Sequence, residues 1–499
     1  MSIEIPTLNF IPLIPSLIVI GTGVLVLLFD LLVTDKRVLG YLGLAGVVAA
    51  AITSLFLLSG PPIPFQDMAI GDGHAYVFNL VFLVTAALSL LVAIDYLEFK
   101  GLQRGEYYAL LLFSVSGMMM MAAATDLVIV YLGMETMSVA LYILTGFNRR
   151  QIASVEAAVK YFIMGAFASA FFLYGVALIY GATGTTNLDQ IGIWLSGHGI
   201  FRDMMALAGL ALMLVGFGFK IAAVPFQWWT PDVYQGAPTS VTAFMSVGAK
   251  AAGFAALTRV LQSAFSPVFT ADWMIAAAVL AALTMTVGNL AALAQKDLKR
   301  MLGYSSIAHA GYILVGVAAA NETGMHGVLF YLLTYTFMSV GAFAVACVVE
   351  RREGFSTVLS DYAGLSQREP LLAAAMAVFM LSLTGIPPLV GFWGKMYVFQ
   401  AAVEANMSWL AILGVINSAI SLFYYLGVVV QMYMRHPAPA SPSPATGSAN
   451  TLAYQCPRRP FGPGRGAISV AILLAAVATV ALGIWPGAII NLVMWVPFG

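Results

Sequence analysis

The chain has 499 residues, of which 61% are hydrophobic and only 9% charged, and its 22 basic and 22 acidic side chains give a net charge of zero. Soluble domains carry about a quarter charged residues, so this composition excludes a water-soluble globular protein of this size. The neutral balance indicates neither a nucleic-acid partner nor any strongly acidic or basic one.

Long apolar runs divide the chain into predicted transmembrane helices. A run of roughly 18 or more apolar residues is typical of a membrane-spanning helix, and alternating segments of the barrel type are absent. The predicted fold class is therefore an all-α polytopic membrane protein, whose first helix is expected to stay uncleaved. About fourteen transmembrane helices are predicted, at 9–33, 38–59, 75–96, 107–124, 126–146, 157–181, 204–234, 238–262, 272–295, 298–319, 325–349, 370–405, 408–434 and 466–493.

The basic residues predict the orientation of these helices. Loops on one side of the membrane carry sixteen of them: Lys36, Arg37, Lys100, Arg104, Arg149, Arg150, Lys296, Lys299, Arg300, Arg351, Arg352, Arg368, Arg435, Arg458, Arg459 and Arg465. The opposite side carries only Arg202 and Arg259. The positive-inside rule makes the first side cytoplasmic and places both termini outside.

Two connections between the helices are long. The segment 437–465 is rich in Pro, Ala, Ser and Gly, a composition that cannot bury a core and predicts a flexible cytoplasmic linker. Turn residues between Gly181 and Asp203 predict a short ordered excursion on the opposite side. The two cysteines, Cys347 and Cys456, suggest no disulfide framework or metal pair.

Four lysines remain inside the predicted helices: Lys160, Lys220, Lys250 and Lys395. An ionisable side chain at membrane depth costs roughly 2.5–3.5 kcal/mol or more and is a functional hypothesis by default. Glu135 lies in the middle of its helix, and Glu156 lies four residues before Lys160, where the two can pair. In the alternative interpretation, Lys160, Lys220 and Lys250 extend to the headgroups, Lys395 faces the mouth of the bundle, and Glu135 is a structural counter-ion.

Buried lysines suit proton transfer. Burial disfavours the charged ammonium and a nearby carboxylate favours it, so a buried lysine with a movable counter-ion has a switchable proton affinity. A series of such groups joined by water predicts a proton path across the bundle. No phosphate-binding loop, cysteine cluster or haem-ligand pair accompanies them in the sequence.

Two of the predicted helices contain helix-breaking residues close to a lysine. Pro225 follows Lys220, and Pro387 and Pro388 precede Lys395, so both helices should be interrupted. They are the seventh and twelfth in the count, and an odd spacing of five predicts two inverted five-helix repeats, each with a broken helix. His309 lies in a helix between them, where it is either a packing residue or part of a proton relay.

Five stretches of the sequence resemble one known family. They are YLGMETMSVALYIL, KYFIMGAFASAFFLYG, FKIAAVPFQWWTPDVYQGAPTSVTAFMSVGAKAAGFA, KRMLGYSSIAHAGY and LTGIPPLVGFWGKMYVF. These resemble the antiporter-like subunits of the proton-pumping NADH:quinone oxidoreductase, respiratory complex I. The motif VYQGAPTSVTAFMSVGAK and Lys395 favour the subunit N branch. The resemblance spans residues 10–435 and the last helix, and 437–465 matches nothing in it.

The resemblance implies a proton path and a division of the chain. It implies pairing of Glu135 with Lys220, a central Lys250, an exit at Lys395 and a further lysine at Lys160. The expected units are three N-terminal helices at 1–106, repeats at 107–262 and 263–436, the linker at 437–465, and a last helix at 466–499.

The resemblance also implies partners and a location. It implies no cofactor and no metal in this chain, with NADH, FMN, iron–sulfur clusters and quinone in partner subunits. The expected partners are the other membrane-arm subunits and lipids, and the expected location is the bacterial inner membrane. The rival interpretations are a subunit of a multisubunit cation/proton antiporter and a passive assembly scaffold.

Overall fold

A computed structural model describes residues 9–197, 204–266, 269–352, 357–436 and 466–494. These residues are almost entirely helical, because helices satisfy the backbone polar groups of long apolar segments internally. Thirteen helices in the described ranges are long and apolar enough to cross a membrane. The all-α polytopic fold class is therefore confirmed. The predicted linker at 437–465 lies outside the described residues.

The first half of the bundle contains seven helices and one small hairpin. The helices are α1 (Ile14–Asp30), α2 (Arg37–Leu58), α3 (Gly73–Lys100), α4 (Gly105–Ala123), α5 (Leu127–Thr145), α6 (Ile152–Thr183) and α7 (Leu188–Gly197), with a 3-10 turn at Ile11–Leu13. The antiparallel hairpin of β1 (Ile63–Phe65) and β2 (Ala69–Gly71) pairs Ile63 with Gly71, and the sequence did not predict it. Helix α7 is the ordered excursion that was expected after Gly181.

Twelve further helices follow. They are α8 (Met204–Ile221), α9 (Trp229–Gly236), α10 (Thr239–Phe265), α11 (Thr270–Leu293), α12 (Leu298–Ala318), α13 (Glu322–Arg352), α14 (Leu365–Arg368), α15 (Pro370–Thr384), α16 (Val390–Glu404), α17 (Ser408–Met434), α18 (Ala467–Ile484) and α19 (Gly487–Met494), with a 3-10 turn at Leu359–Tyr362. Helices α15 and α16 together supply the remaining predicted crossing.

Both predicted interruptions are present. Helix α8 ends one residue after Lys220, and α9 begins only at Trp229, beyond Pro225. Helix α15 ends at Thr384, and α16 begins at Val390, beyond the two prolines. Proline removes a backbone donor and clashes with the preceding turn, so neither helix continues through its proline segment.

The start of α5 and the start of α12, five crossings apart, are built in the same way. Asp126 caps α5 and accepts a hydrogen bond from Thr186, while the Leu127 amide donates to the Thr186 carbonyl at 2.9 Å. Asp297 caps α12 and accepts a hydrogen bond from Thr357. There the Leu298 amide donates to the Thr357 carbonyl at 2.8 Å. An odd number of crossings separates the two corners, so they lie at opposite membrane faces, as inverted repeats require.

Four helices form the interior of the bundle. Every residue in the most apolar part of α10 is buried, and α3, α12 and α13 are nearly as enclosed. The α10 sequence is rich in Gly, Ala, Ser and Thr, and small residues let neighbouring helices approach closely. By contrast α1, α2, α6 and α17 expose many large apolar side chains. A charged residue on the inward face of α10 is therefore surrounded by protein.

Candidate functional site

The first buried lysine of the site lies at the end of α8. The Lys220 side chain is 2% exposed, and its ammonium donates a hydrogen bond to the Ser138 hydroxyl of α5 at 2.7 Å. Ser138 lies three residues after Glu135, and that spacing places both on one face of α5. Glu135 is partly buried and accepts a hydrogen bond from Ser169 of α6.

The expected pairing of Glu135 with Lys220 is indirect. No ion pair joins them among the described residues, although the carboxylate lies within electrostatic reach of the ammonium. Ser138 holds Lys220 against α5, while its own hydroxyl donates to the Met134 carbonyl. The ring of Tyr142, one turn further along α5, lies 5.9 Å from the Lys220 nitrogen. The sequence missed Ser138, although its spacing from Glu135 gave the signal.

Lys250, the second buried lysine, lies in the middle of α10. Its ammonium contacts both the carbonyl and the hydroxyl of Ser306 on α12, the hydroxyl at 2.5 Å. The same hydroxyl lies 3.3 Å from that of Tyr234 on α9, and the Tyr335 ring lies 5.5 Å from the lysine nitrogen. No carboxylate forms an ion pair with Lys250 in the described chain. Its ammonium is held by neutral dipoles.

His309 lies one turn beyond Ser306 on α12 and is 1% exposed. One ring nitrogen is 2.7 Å from the Tyr331 hydroxyl, and the other is 2.9 Å from the Tyr425 hydroxyl. Tyr425 also pairs with Ser305. Both ring nitrogens therefore have hydrogen-bond partners that can accept or donate a proton. The sequence did not identify either tyrosine, because each reaches the site from another helix, α13 or α17.

Lys395, the third buried lysine, lies in α16 just after the second helix break. Its ammonium donates to the Thr384 carbonyl and to the Ser418 hydroxyl, each at 2.7 Å. Thr384 is the last residue of α15, where the final carbonyls have no partner within the helix. The Tyr312 ring lies 4.6 Å from the lysine nitrogen. The break in the helix thus creates the acceptor that holds Lys395.

These groups form a polar band through the interior. His309 lies within electrostatic reach of both Lys250 and Lys395. Around Lys395, Tyr312 is hydrogen-bonded to Asn289, which also accepts a hydrogen bond from Tyr424. The structure therefore gathers Lys250, His309 and Lys395 into one region and places Lys220 with Glu135 in another.

Lys160 does not belong to this interior, which corrects one expectation. Its side chain is 44% exposed, and it pairs with Glu156 at 2.8 Å, as the spacing predicts, and with Asp232 of α9 at 3.0 Å. Arg300 of α12 binds the same aspartate at 2.6 Å. Lys160 lies within three turns of the start of α6, so its long side chain extends to the polar end of the bundle.

Two lysines assigned to loops are in fact buried, which corrects a second expectation. Lys100 forms an ion pair with Glu350 at 2.7 Å, and both side chains are under 10% exposed. Lys299 is buried and donates to the Ala237 carbonyl at 2.6 Å. Both lie at helix ends that are packed against other helices, and this packing is not visible in the local sequence.

Arg259, assigned to the opposite side, lies near the far end of α10. Its guanidinium binds both oxygens of Asp72, at 2.8 and 2.9 Å, and contacts His74. Burial alone raises the pKa of the Asp72 carboxyl, but the Arg259 guanidinium outweighs burial and holds it below its usual value. The other residue assigned to that side, Arg202, lies outside the described residues.

Comparisons with known proteins identify the family of the chain. Residues 124–421 match the family model described as NADH:quinone oxidoreductase/Mrp antiporter, transmembrane. The chain belongs to this family. A relative in Trichlorobacter lovleyi, named NADH-quinone oxidoreductase subunit N, is 50% identical over 86% of this chain and 88% of its own. A relative of the same name in Chloroflexus aggregans is 44% identical over 99% and 98%.

Solved structures share the fold. A chain of respiratory complex I from Thermus thermophilus is 36% identical, with a TM-score of 0.77 over 96% of this chain and 99% of its own. A chain of the Mrp complex from Dietzia sp. DQ12-45-1b has a TM-score of 0.83 at 24% identity, over 98% of this chain and 96% of its own, and shares the fold alone. The family places this multi-pass chain in the inner membrane.

Proposed function

We propose that the chain is a proton-translocating membrane-arm subunit of an NADH:quinone oxidoreductase. The observation that carries this proposal is the burial of three lysines in one bundle, each held by neutral hydroxyls and carbonyls rather than by an ion pair. An ammonium without a tightly bound carboxylate loses its proton more easily in a low-dielectric interior. The lysines are therefore suited to accept and release protons.

The order of the groups suggests a sequence of events. A change in the charge interaction between Glu135 and Lys220 alters the proton affinity of Lys250, and the change then reaches Lys395 past His309. Ser138 transmits the first interaction, because it contacts Lys220 directly. Lys160 contributes at the solvent-exposed end of the bundle, where its partners Glu156 and Asp232 line a polar cavity.

The partners and orientation belong to the same proposal. The subunit N relatives imply that this chain assembles with other membrane-arm subunits, and that the NADH, FMN, iron–sulfur and quinone sites lie in partner subunits. The distribution of Lys and Arg supports a cytoplasmic position for the loops that carry most of them, with both termini periplasmic. We assign the two antiporter-like repeats to residues 107–262 and 263–436.

The direct test is Lys220→Ala in the assembled oxidoreductase. Protons pumped per NADH oxidised should fall sharply while the complex still assembles, because the variant removes the ammonium of α8 that interacts with Ser138 and Glu135 of α5. The matched control is Lys296→Ala, which removes an exposed lysine. An unchanged proton-to-electron ratio in Lys220→Ala contradicts the proposal.

A subunit of a multisubunit cation/proton antiporter is the second candidate, since the Mrp chain has the same fold. Sequence identity separates the two: the subunit N relatives reach 50%, whereas the Mrp chain reaches 24%. Purification of the native assembly discriminates between them. Co-purification with flavin and iron–sulfur subunits supports the oxidoreductase, and co-purification with small antiporter subunits supports the alternative.

A further inference from the structure

We propose that Glu350 takes up protons and delivers them towards Lys250. Glu350 is ion-paired with Lys100 at the inner end of a polar cavity, and the protons come from the side of the membrane whose loops carry most of the Lys and Arg residues. This inference rests on the proposed proton-translocating function. It assigns the entrance of the path, which neither the buried lysines nor the family motifs identify.

The cavity has a volume of about 300 Å³ and lies between the ends of several helices. Liquid water occupies about 30 Å³ per molecule, so the cavity has room for several waters. Its charged and amide lining includes Glu156, Lys160, Asp232, Gln235, Lys299 and Glu350. Lys160 and Asp232 lie at the exposed mouth, whereas Glu350 and Lys299 are buried. The cavity thus leads from solvent to a buried carboxylate.

Glu350 lines the cavity and is held by three donors. Its oxygens accept from Lys100 at 2.7 Å and from the Thr239 hydroxyl at 2.5 Å, and the Tyr96 hydroxyl is shared between both oxygens at 3.4 and 3.5 Å. The long, shared bond from Tyr96 is the weakest of these, so it is the one that a water of the cavity can replace. The other titratable groups that act on Glu350 are Lys299 of α12, Cys347 of its own helix and Tyr362 of the 3-10 turn.

A row of hydroxyls leads from Glu350 to Lys250. Thr239 begins α10, and Thr242, Ser246 and Lys250 follow at intervals of three or four residues, which places all four on one helix face. Each interval is about 4.5–6 Å along the axis, a gap that one bridging water spans. No other face of α10 has such a row.

The two ends of the last part of the row are hydrogen-bonded to other helices. Ser246 is hydrogen-bonded to Ser339 of α13 at 2.9 Å, and Ser306 of α12 accepts from Lys250 at 2.5 Å. The Tyr335 side chain lies close to both Ser339 and Ser306. A proton that reaches Ser246 therefore has polar groups along the rest of the way to the lysine.

The step involves only O–H and N–H bonds. A cavity water gives a proton to the Glu350 carboxylate, which becomes a neutral acid, and the remaining hydroxide is neutralised by a proton from bulk water. The acid then releases its proton into the hydroxyl row, and neutral Lys250 takes up a proton at the other end. Lys100, the ion-pair partner of Glu350, attracts the carboxylate again once the proton has left.

A purely structural ion pair at the ends of α3 and α13 is the rival explanation. Removing one partner of a buried pair leaves an uncompensated charge, so a single variant that fails to assemble cannot separate the two. The double variant Glu350→Gln/Lys100→Gln removes both charges and leaves at each position an amide that can form hydrogen bonds. Glu350→Asp keeps a titratable carboxyl. Glu98→Gln is the matched control, since Glu98 is an exposed, ion-paired carboxylate on the same face.

The test compares these variants in the complete oxidoreductase reconstituted into vesicles, with NADH oxidation and proton uptake measured together across pH. We expect a several-fold loss of protons pumped per NADH in the double variant, and pumping with a shifted pH profile in Glu350→Asp. Glu98→Gln should match wild type.

Wild-type pumping in the assembled double variant overturns the inference. A parallel Lys250→Met variant keeps this failure distinct from failure of the proposed function. If Lys250→Met loses pumping while the double variant keeps it, the proposed proton translocation is supported and the proposed uptake at Glu350 is wrong. If both pump normally, the proposed function itself fails.

Discussion

The Lys220 ammonium donates a hydrogen bond to Ser138 at 2.7 Å and forms no ion pair with Glu135. The carboxylate instead accepts a hydrogen bond from Ser169 of α6. The two charges that the resemblance expects to pair are thus held by two different hydroxyls. In this arrangement the interaction can be strengthened or weakened by a small movement of α5 against α8.

Replacing Ser138 by Ala should weaken the communication between Glu135 and Lys220. The Lys220 ammonium then loses its only described hydrogen-bond partner, at a cost of about 1.5–3 kcal/mol for a bond to a charged group. We expect reduced protons pumped per NADH with near-normal NADH oxidation. Ser138→Thr keeps the hydroxyl and is the control, and equal pumping in the Ala and Thr variants contradicts the prediction.

Substitutions of His309 should separate stability from proton transfer. His309→Gln retains groups that can hydrogen-bond to Tyr331 and Tyr425 but cannot carry a proton, so the assembled complex should be stable with reduced pumping. His309→Phe leaves two buried hydroxyls without this partner, at about 1–3 kcal/mol each, and should also lower the thermal stability. Melting temperatures and pumping ratios measure the two effects. If the His309→Gln variant pumps normally, His309 is a packing residue and not part of a proton relay.

Lys160→Ala should have a much smaller effect than Lys220→Ala. Lys160 is 44% exposed, and exposed ion pairs contribute about 0–1 kcal/mol. We expect a near-normal melting temperature and a modest decrease in pumping. Raising the salt concentration should reduce the difference from wild type further, because salt screens exposed charges. If Lys160→Ala loses as much pumping as Lys220→Ala, the prediction is wrong.

The Asp72–Arg259 pair should make stability sensitive to acid. The pKa of Asp72 lies below its ordinary value of 3.8, so its contribution is complete at neutral pH and is lost as the pH falls below about 4. Asp72→Asn should lower the melting temperature at pH 7 and reduce its dependence on pH in this acid range. Thermal unfolding of the purified assembly at several pH values measures this. A melting temperature at pH 7 equal to that of wild type contradicts the prediction.

The fold was largely predictable from the sequence, because the length of each apolar run sets where a helix crosses. The two breaks were equally predictable from Pro225 and from Pro387 with Pro388, since proline acts locally. The hairpin at Ile63–Phe65 was not, because three-residue strands lack a periodic signal. Its pairing depends on contacts with the neighbouring segment rather than on propensity.

The candidate site was predictable in its lysines but not in their surroundings. Lys220, Lys250 and Lys395 stand out because a charge in an apolar run needs an explanation. The sequence did not predict whether a charged side chain near a helix end is buried. Lys299 is buried by the neighbouring segment at Ala237, whereas Lys160 reaches the surface. Neither outcome follows from the distance to the end of an apolar run, since it depends on which helix packs there.

The carbonyl of Thr384 closes one helical segment and at the same time binds the charge of the next. In the proposed proton path, loss of a proton from Lys395 leaves the amine one donor fewer to share between this oxygen and Ser418. The junction of α15 and α16 then loses part of its attachment. The proposal therefore couples movement of this junction to the protonation of Lys395, and a displacement of either segment favours loss of the proton.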